Sequence, residues 1–272
     1  MDRLMCLQVQ SSGEPVEVHV NGVPVLSLPA GGGSRAVTVH EFLQNGSNRL
    51  TLVIAPLPIA QAVVAPDTPA QPRVTARAAH ARARLVLLRQ GKSLADEAVR
   101  VLAEVAWAVE EGAAFQAPTA LHEELQLPVA FPRWRWLDAP PLTPSPPERQ
   151  QLLATLQCLA FDLSRGHADS LVDVCRLKLE ELDLAYQRPA GHGAATLRAR
   201  VQQCWEAGAL ASLAPRTAET LLLRRVADGR LLDALHPLGT PALGTANDGI
   251  TLGNVAWPLR LTLIEGKVYV LR

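Results

Sequence analysis

"VEVHVNGVPVLSL", residues 16–28, alternates apolar and polar side chains on either side of one dipeptide, Asn21-Gly22. Val16, Val18 and Val20 alternate with Glu17 and His19. A period of two turns one set of side chains into a core and the other toward solvent, as a half-buried strand does. Asn-Gly adopts the left-handed backbone that a two-residue hairpin turn requires, so the stretch is predicted to be strand, turn, strand. The same period recurs on both sides of it. Met5, Leu7 and Val9 alternate with Gln8 and Gln10, and Leu50, Leu52 and Ile54 with Arg49, Thr51 and Val53. Ala83, Leu85 and Leu87 alternate with Arg82, Arg84 and Val86. Gly31-Gly32-Gly33 and Asn45-Gly46 punctuate these runs, and the triple glycine reads as a flexible hairpin tip. Residues 93–112, "SLADEAVRVLAEVAWAVEEG", fit two templates. Their Ala, Glu and Leu favour an amphipathic helix. Their valines, and the alternation of Val99, Val101, Ala103, Val105 and Trp107 with Arg100 and Glu104, favour a strand, which is the reading adopted. Short strands separated by turns at these intervals predict an antiparallel β-sandwich.

The period changes in mid-chain. Residues 138–148, "DAPPLTPSPPE", hold five prolines: Pro140, Pro141, Pro144, Pro146 and Pro147. Proline fixes φ and removes a donor, so the segment is predicted to be an extended, stiff linker. Beyond it Leu152, Leu156, Leu159 and Leu163 recur at helical spacing, and Gly166 stands where such a helix closes. A second helix is predicted with Leu171, Cys175, Leu179, Leu182 and Tyr186 on one stripe. Asp169, Asp173, Arg176, Glu180 and Asp183 fall toward its solvent side, and Pro189 ends it. A third carries Leu197, Val201, Cys204 and Trp205 inward. Two hairpins follow, around Asp228-Gly229 and around Glu265-Gly266. The predicted fold is therefore α+β and two-domain: a β-sandwich over residues 1–137, the linker 138–148, and helices packed on an antiparallel sheet over 149–272.

Two stretches resemble known families. Val20, Asn21, Gly22, Phe42, Leu43, Gly46, Asn48, Leu50, Leu52 and Ile54 form a strand-turn-strand and then a G-x-N-x-L-x-V-like strand. That pattern resembles the sugar-binding-type β-sandwich attached to β-galactosidase-like glycoside hydrolases, a module that is usually non-catalytic. The resemblance implies a fold, with Gly46 and Asn48 as positions tolerant of positive φ, and no binding residue is carried over from it. The closing strands, with Leu261, Leu263, Gly266, Lys267, Val268, Tyr269 and Val270, resemble the end of the nuclear-transport-factor-like or ketosteroid-isomerase-like cone. That resemblance implies a pocket in the second half.

Composition bounds the function. Apolar residues make up 48% of the 272, enough for real cores and against a disordered chain. Lys plus Arg, 26, balance Asp plus Glu, 26, so no electrostatic footprint for nucleic acid or an anionic membrane is expected. The N-terminal stretch does not read as a signal peptide. The four cysteines, Cys6, Cys158, Cys175 and Cys204, form no C-x-x-C pair. Cys158, Cys175 and Cys204 are expected to be buried free thiols without metal, in the cytoplasm. The seven histidines show no H-x-x-x-H, H-x-H or Cys/His cluster, so no metal site and no cofactor is expected.

No catalytic residue is assigned. Asp162, Asp169, Asp173, His167 and His236, with Tyr186 as a donor, are the groups a pocket enzyme of the cone type would draw on, and no reacting pair emerges among them. "FPRWRWLD", residues 131–138, is the unusual constellation in a chain only 4% aromatic. As a strand it would set Trp134 and Trp136 on one face and Arg133 and Arg135 on the other. Trp and Arg are enriched at interface hot spots, so these four are candidate partner contacts, with Asn247 and Asp248 as a second, loop-borne set. The tryptophans alternatively close a core or brace the two halves. The leading expectation is a non-enzymatic protein-binding module of a bacterial cytoplasm, such as a toxin-neutralising immunity protein or a secretion-system adaptor. The alternative is a small-molecule binder or lyase/isomerase using a pocket in the second half.

Overall fold

A computed structural model describes residues 3–89, 99–211, 213, 216–245 and 255–272. The chain is mixed α and β, and its sheets are antiparallel. It divides into two compact units, Met1–Leu57 with Asp67–Arg133, and Pro58–Pro66 with Trp134–Arg272.

Unit 1 holds β1 (Arg3–Ser12), β2 (Val16–Val20), β3 (Val23–Leu28), β4 (Gly33–Thr38), β5 (Gly46–Ile54), β6 (Gln71–Val74), β7 (Ala79–Arg89), β8 (Arg100–Val109), β9 (Ala114–Ala117) and β10 (Thr119–Leu127). Two four-stranded sheets form, ordered β4-β1-β7-β8 and β10-β5-β2-β3, with β6 and β9 as a separate pair. Leu7, Val9, Ala83 and Leu85 of the first and Val16, Val18, Leu50, Leu52 and Ile54 of the second are buried, and β5 packs across β7 and β8. Asn21 and Gly22, at φ 52° and 75°, make the turn between β2 and β3.

Residues 100–109 are a strand, and a bulge changes which of its side chains face in. Leu85 stands opposite Ala103 but Val86 opposite Val101, leaving Leu102 as the extra residue. Alternation reverses across such an insertion. Val101, expected inside, is accordingly 43% exposed, while Val86 on the unbulged β7, expected outside, is buried next to Leu85. The triple glycine is likewise no hairpin tip, because β3 and β4 lie in different sheets. Gly32 passes against β1 so closely that a Cβ there would stand 2.0 Å from the Ser11 carbonyl oxygen, at φ +85°.

Asn48 also plays a different part from the one expected. It sits within β5 and is 2% exposed. Its Oδ1 accepts from Asn21 Nδ2 at 2.9 Å and from the Gln44 amide at 2.9 Å, and its Nδ2 donates to the Gln44 and Gly46 carbonyls at 2.8 and 3.0 Å. Asn21 Nδ2 also donates to the Phe42 carbonyl at 2.8 Å, and its Oδ1 accepts the Arg49 amide at 2.8 Å. The residues that carried the sandwich resemblance thus converge on one hydrogen-bonded corner, where side chains satisfy backbone groups that no ladder reaches. Asn48→Ala is expected to destabilise the chain by about 1–3 kcal/mol, the cost of orphaning buried polar groups. Urea unfolding followed by circular dichroism measures it, and an unchanged midpoint would remove the corner from the stabilising set.

Unit 2 holds α1 (Ile59–Val64), α2 (Pro146–Ser164), α3 (Asp169–Val174), α4 (Arg176–Ala185) and α5 (His192–Glu206). Its strands are β11 (Leu222–Val226), β12 (Leu231–Leu235), β13 (Leu243–Gly244), β14 (Ala256–Trp257), β15 (Arg260–Ile264) and β16 (Lys267–Val270). The sheet runs β11-β12-β15-β16, with β13 and β14 paired beside it. Both expected hairpins form, Val226 opposite Leu231 and Ile264 opposite Lys267. Leu152, Leu156, Leu163, Leu171 and Val201 of the helices pack on Leu232, Leu261 and Val270 of the sheet.

The proline-rich segment 138–148 is not a free linker; the division falls after Arg133, and the segment belongs to unit 2. The Leu142 amide donates to the Gly229 carbonyl at 2.8 Å, and Arg230 Nη1 donates to the Ala139 carbonyl at 2.8 Å. Pro146 and Pro147 open α2, where a missing N–H costs nothing because the first turn has no acceptor for it. The Glu148 carboxylate accepts from the Ser145 hydroxyl and amide, both at 2.7 Å, and these bonds hold its pKa below the usual carboxylate range.

Gly166 closes α2 as expected. At φ +79° it donates to the Leu163 carbonyl, while the His167 amide donates to that of Asp162. The second helix breaks at Cys175 into α3 and α4. Two polar residues of α4 are buried there. Asp183, expected in solvent, accepts the Gly193 amide on both carboxylate oxygens at 2.9 and 3.2 Å, a negative charge at the start of α5. Glu181 is 4% exposed. Trp205, expected inward, is 47% exposed and lies over Gly166, where a Cβ would stand 2.8 Å from its ring.

Candidate functional site

Trp134 and Trp136 do not present a face to a partner. Residues 135–137 close into a 3-10 turn, the Leu137 amide donating to the Trp134 carbonyl at 3.0 Å, instead of continuing as a strand. Trp134 is fully buried and Trp136 is 2% exposed, both within unit 2. The Arg272 guanidinium lies over both rings, 5.4 Å from the centre of Trp134 and 5.8 Å from that of Trp136. Its Nη1 donates to Glu181 Oε2 at 2.6 Å, and Glu181 Oε1 accepts the Arg135 amide at 2.7 Å. This cluster is a structural clasp of aromatic, cation and carboxylate, of the kind cation–π attraction favours when desolvated.

Arg133 and Arg135 are exposed. The Arg135 side chain reaches the Glu180 carboxylate at 3.0 Å and the Leu177 carbonyl at 3.2 Å, and Glu180 is shared with Arg176 at 3.1 Å. Asn247 and Asp248 lie outside the described residues.

The groups weighed for acid–base chemistry are dispersed. Asp162 is half-buried on α2, with the Cys158 thiol 3.8 Å from its carboxylate. Asp169 pairs with Arg198 at 3.0 Å. His236 sits in a tight turn, its Nδ1 accepting the Leu238 amide at 3.2 Å. Burial and then the Arg216 charge lower the pKa of this imidazole. Among the described residues no group of three or more His, Cys, Asp and Glu could hold a metal, and no helix is long and apolar enough to cross a membrane.

A half-open groove of about 270 Å³ lies on unit 2 between α3, α4, α5 and the chain of β14 leading into β15. Leu171, Leu179, Leu182, Leu197, Trp257 and Leu259 give it an apolar lining. Lys178, Arg188 and Arg200 are the charged residues of that lining, and none of its described residues is acidic. Neither Asp162 nor His236 contributes to it. Spacing brings one wall together: Gly193, Thr196, Leu197 and Arg200 are three, four and seven residues along α5 and share a face. That stripe was readable in the sequence, but its pairing with α4 and with Trp257 was not.

Cys175 lies in the groove, and burial pushes its thiol up to about 11. Cys158, expected to be buried, is exposed, and Cys204 is half-buried. Iodoacetamide at about pH 8 is therefore expected to modify Cys158 in the folded chain and to leave Cys175 unmodified, because the thiolate is the reacting form. Peptide mass spectrometry reads the difference. In unfolding, Cys175→Ser is expected to cost about 1–3 kcal/mol, and Cys158→Ser less than about 0.5 kcal/mol. Equal alkylation of the two thiols would contradict the burial of Cys175.

No protein-family model matches the chain, and no curated protein matches it. Among solved structures the chain is similar to a "putative beta-galactosidase from bacteroides fragilis" at 12% identity and a TM-score of 0.17. The match covers 49% of this chain and 26% of that one. A likeness of that size carries no argument about fold or activity. The cone-type resemblance of the closing strands finds no support among the matches.

Proposed function

We propose that this chain is a non-enzymatic protein-binding protein, built as a two-domain α+β molecule in which an antiparallel β-sandwich precedes helices packed on an antiparallel sheet. The observation that best supports the reading is the groove on unit 2, half-open and lined by leucines and Trp257. Pockets for small molecules generally enclose most of their ligand, in volumes of roughly 300–1,000 Å³. A smaller trough open along one side suits the side chains of a passing protein segment, with the half-buried Leu179, Leu182 and Leu197 as the apolar surface left to cover. Four free thiols suit a reducing compartment such as the cytoplasm.

The test is capture by chemical cross-linking. The purified chain is cross-linked in a native extract of its source cells, and a recovered partner is then purified and titrated against it. A stoichiometric partner whose cross-links map to α4, α5 or Trp257 supports the proposal. Recovery of no stoichiometric partner, or co-purification of a tightly held metabolite in the groove, overturns it in favour of small-molecule binding.

A further inference from the structure

We infer that the groove on unit 2 receives an acidic protein segment, which sets one or two large apolar side chains between α4 and α5 and its carboxylates against Lys178, Arg188 and Arg200. The inference rests on the protein-binding reading and adds the chemistry of the partner.

Charge complementarity carries it. The chain as a whole is neutral, yet the described lining of this groove has three basic residues and no acidic one. Four carboxylates on the neighbouring elements are held elsewhere, and Asp173 of α3 lines a different groove, with Lys267. Asp183 holds the Gly193 amide, Glu180 is shared between Arg135 and Arg176, Asp169 pairs with Arg198, and Glu181 pairs with Arg272. An apolar trough rimmed with one sign of charge focuses that field on whatever enters it.

The spread of the cations selects a chain over a compact anion. Lys178 and Asp183, whose carbonyl anchors the Arg188 amide at 2.8 Å, are five residues apart on α4, roughly 7–8 Å along the axis. The backbone positions that carry Lys178 and Arg188 are therefore set apart by about that distance, and a single carboxylate headgroup does not span it. An extended peptide advances about 3.3 Å per residue, so acidic residues two or three positions apart match it.

Selection from a phage-displayed library of random twelve-residue peptides, on the intact chain, tests the inference. The enriched peptides are expected to carry Asp or Glu two or three positions from Leu, Ile, Phe or Trp. The tightest of them, synthesised and labelled, is expected to lose at least tenfold in affinity on Arg188→Glu/Arg200→Glu, less on Arg188→Gln/Arg200→Gln, and nothing on Arg165→Glu at the end of α2. Its affinity should also fall as salt rises. Arg188 and Arg200 are exposed, and melting curves of the variants verify that the fold survives. Enrichment of neutral or basic peptides, no enrichment, or an acidic peptide that binds the charge-reversed variant undiminished overturns the inference. The two readings fail separately. A partner captured by cross-linking that binds Arg188→Glu/Arg200→Glu with full affinity removes the groove assignment and leaves the protein-binding reading standing.

Discussion

Trp136→Ala is expected to lower the stability of unit 2 by about 3–5 kcal/mol, the range for truncating a buried large aromatic side chain. In a unit of this size that is a fall in melting temperature on the order of 10 °C. The reason is local and double. Trp136 is 2% exposed, so its removal leaves a cavity that the surrounding sheet and helices refill only in part. It is also one of two indoles over which the Arg272 guanidinium lies, so the cation loses an aromatic face as well as packing. Arg135→Ala makes the contrast. That side chain is 46% exposed and its pairs with Glu180 and Leu177 are at the surface. Its loss is expected to cost less than about 1 kcal/mol. Urea unfolding by far-ultraviolet circular dichroism separates the two. A Trp136→Ala chain within about 1 kcal/mol of the parent would mean that the clasp contributes little to the fold.

Glu181→Ala should cost as much, for an electrostatic reason. The Arg272–Glu181 pair is 2.6 Å long, with side chains 1% and 5% exposed. Removing the carboxylate takes the negative charge away from a buried guanidinium, a loss of about 3–5 kcal/mol. It also orphans the Arg135 amide, which Glu181 Oε1 accepts at 2.7 Å. The diagnostic result is the double variant. Glu181→Leu/Arg272→Met removes both charges and keeps apolar volume, and replacing a whole buried pair in this way is often neutral. It is expected to be more stable than Glu181→Leu alone, with a coupling energy of roughly 1–3 kcal/mol across the cycle. Additive losses would show that each side chain acts through packing and not through the pair. Because the pair is buried, its contribution should change little with added salt, whereas that of the Arg135–Glu180 pair should be screened.

The two tryptophans were visible in the sequence as an unusual pair, and their burial was one of the fates they could have. Their surroundings were not visible. Nothing in residues 131–138 distinguishes a strand from an extended entry into a 3-10 turn. What decides it is Arg272 and Glu181, which come from the stretch after β16 and from α4, far along the chain. The groove is a similar case. Lys178 and Arg200 look like solvated charges on two amphipathic helices, and they become one rim only when α4 and α5 pack side by side with Trp257 beneath them.

Local chemistry by itself determined a definite part of this protein. The period of two placed β1, β2, β5, β7 and β8; Asn21-Gly22, Asp228-Gly229 and Glu265-Gly266 placed the hairpin turns; Gly166 placed the end of α2. These features are set by backbone sterics and by one face seeking a core, which short stretches of sequence encode directly. Only the tertiary structure decided the rest. A single bulged residue in β8 turned Val101 out of the core. The proline-rich segment 138–148 was held to Gly229 and Arg230 through Leu142 and Ala139 instead of spanning a gap. Asp183 left the solvent face expected for it because the start of α5 was waiting for it, and Glu181 is buried on the same helix against an arginine. A carboxylate is buried only where a donor or a cation compensates its lost hydration, and that partner is supplied by another element, beyond the reach of any local pattern.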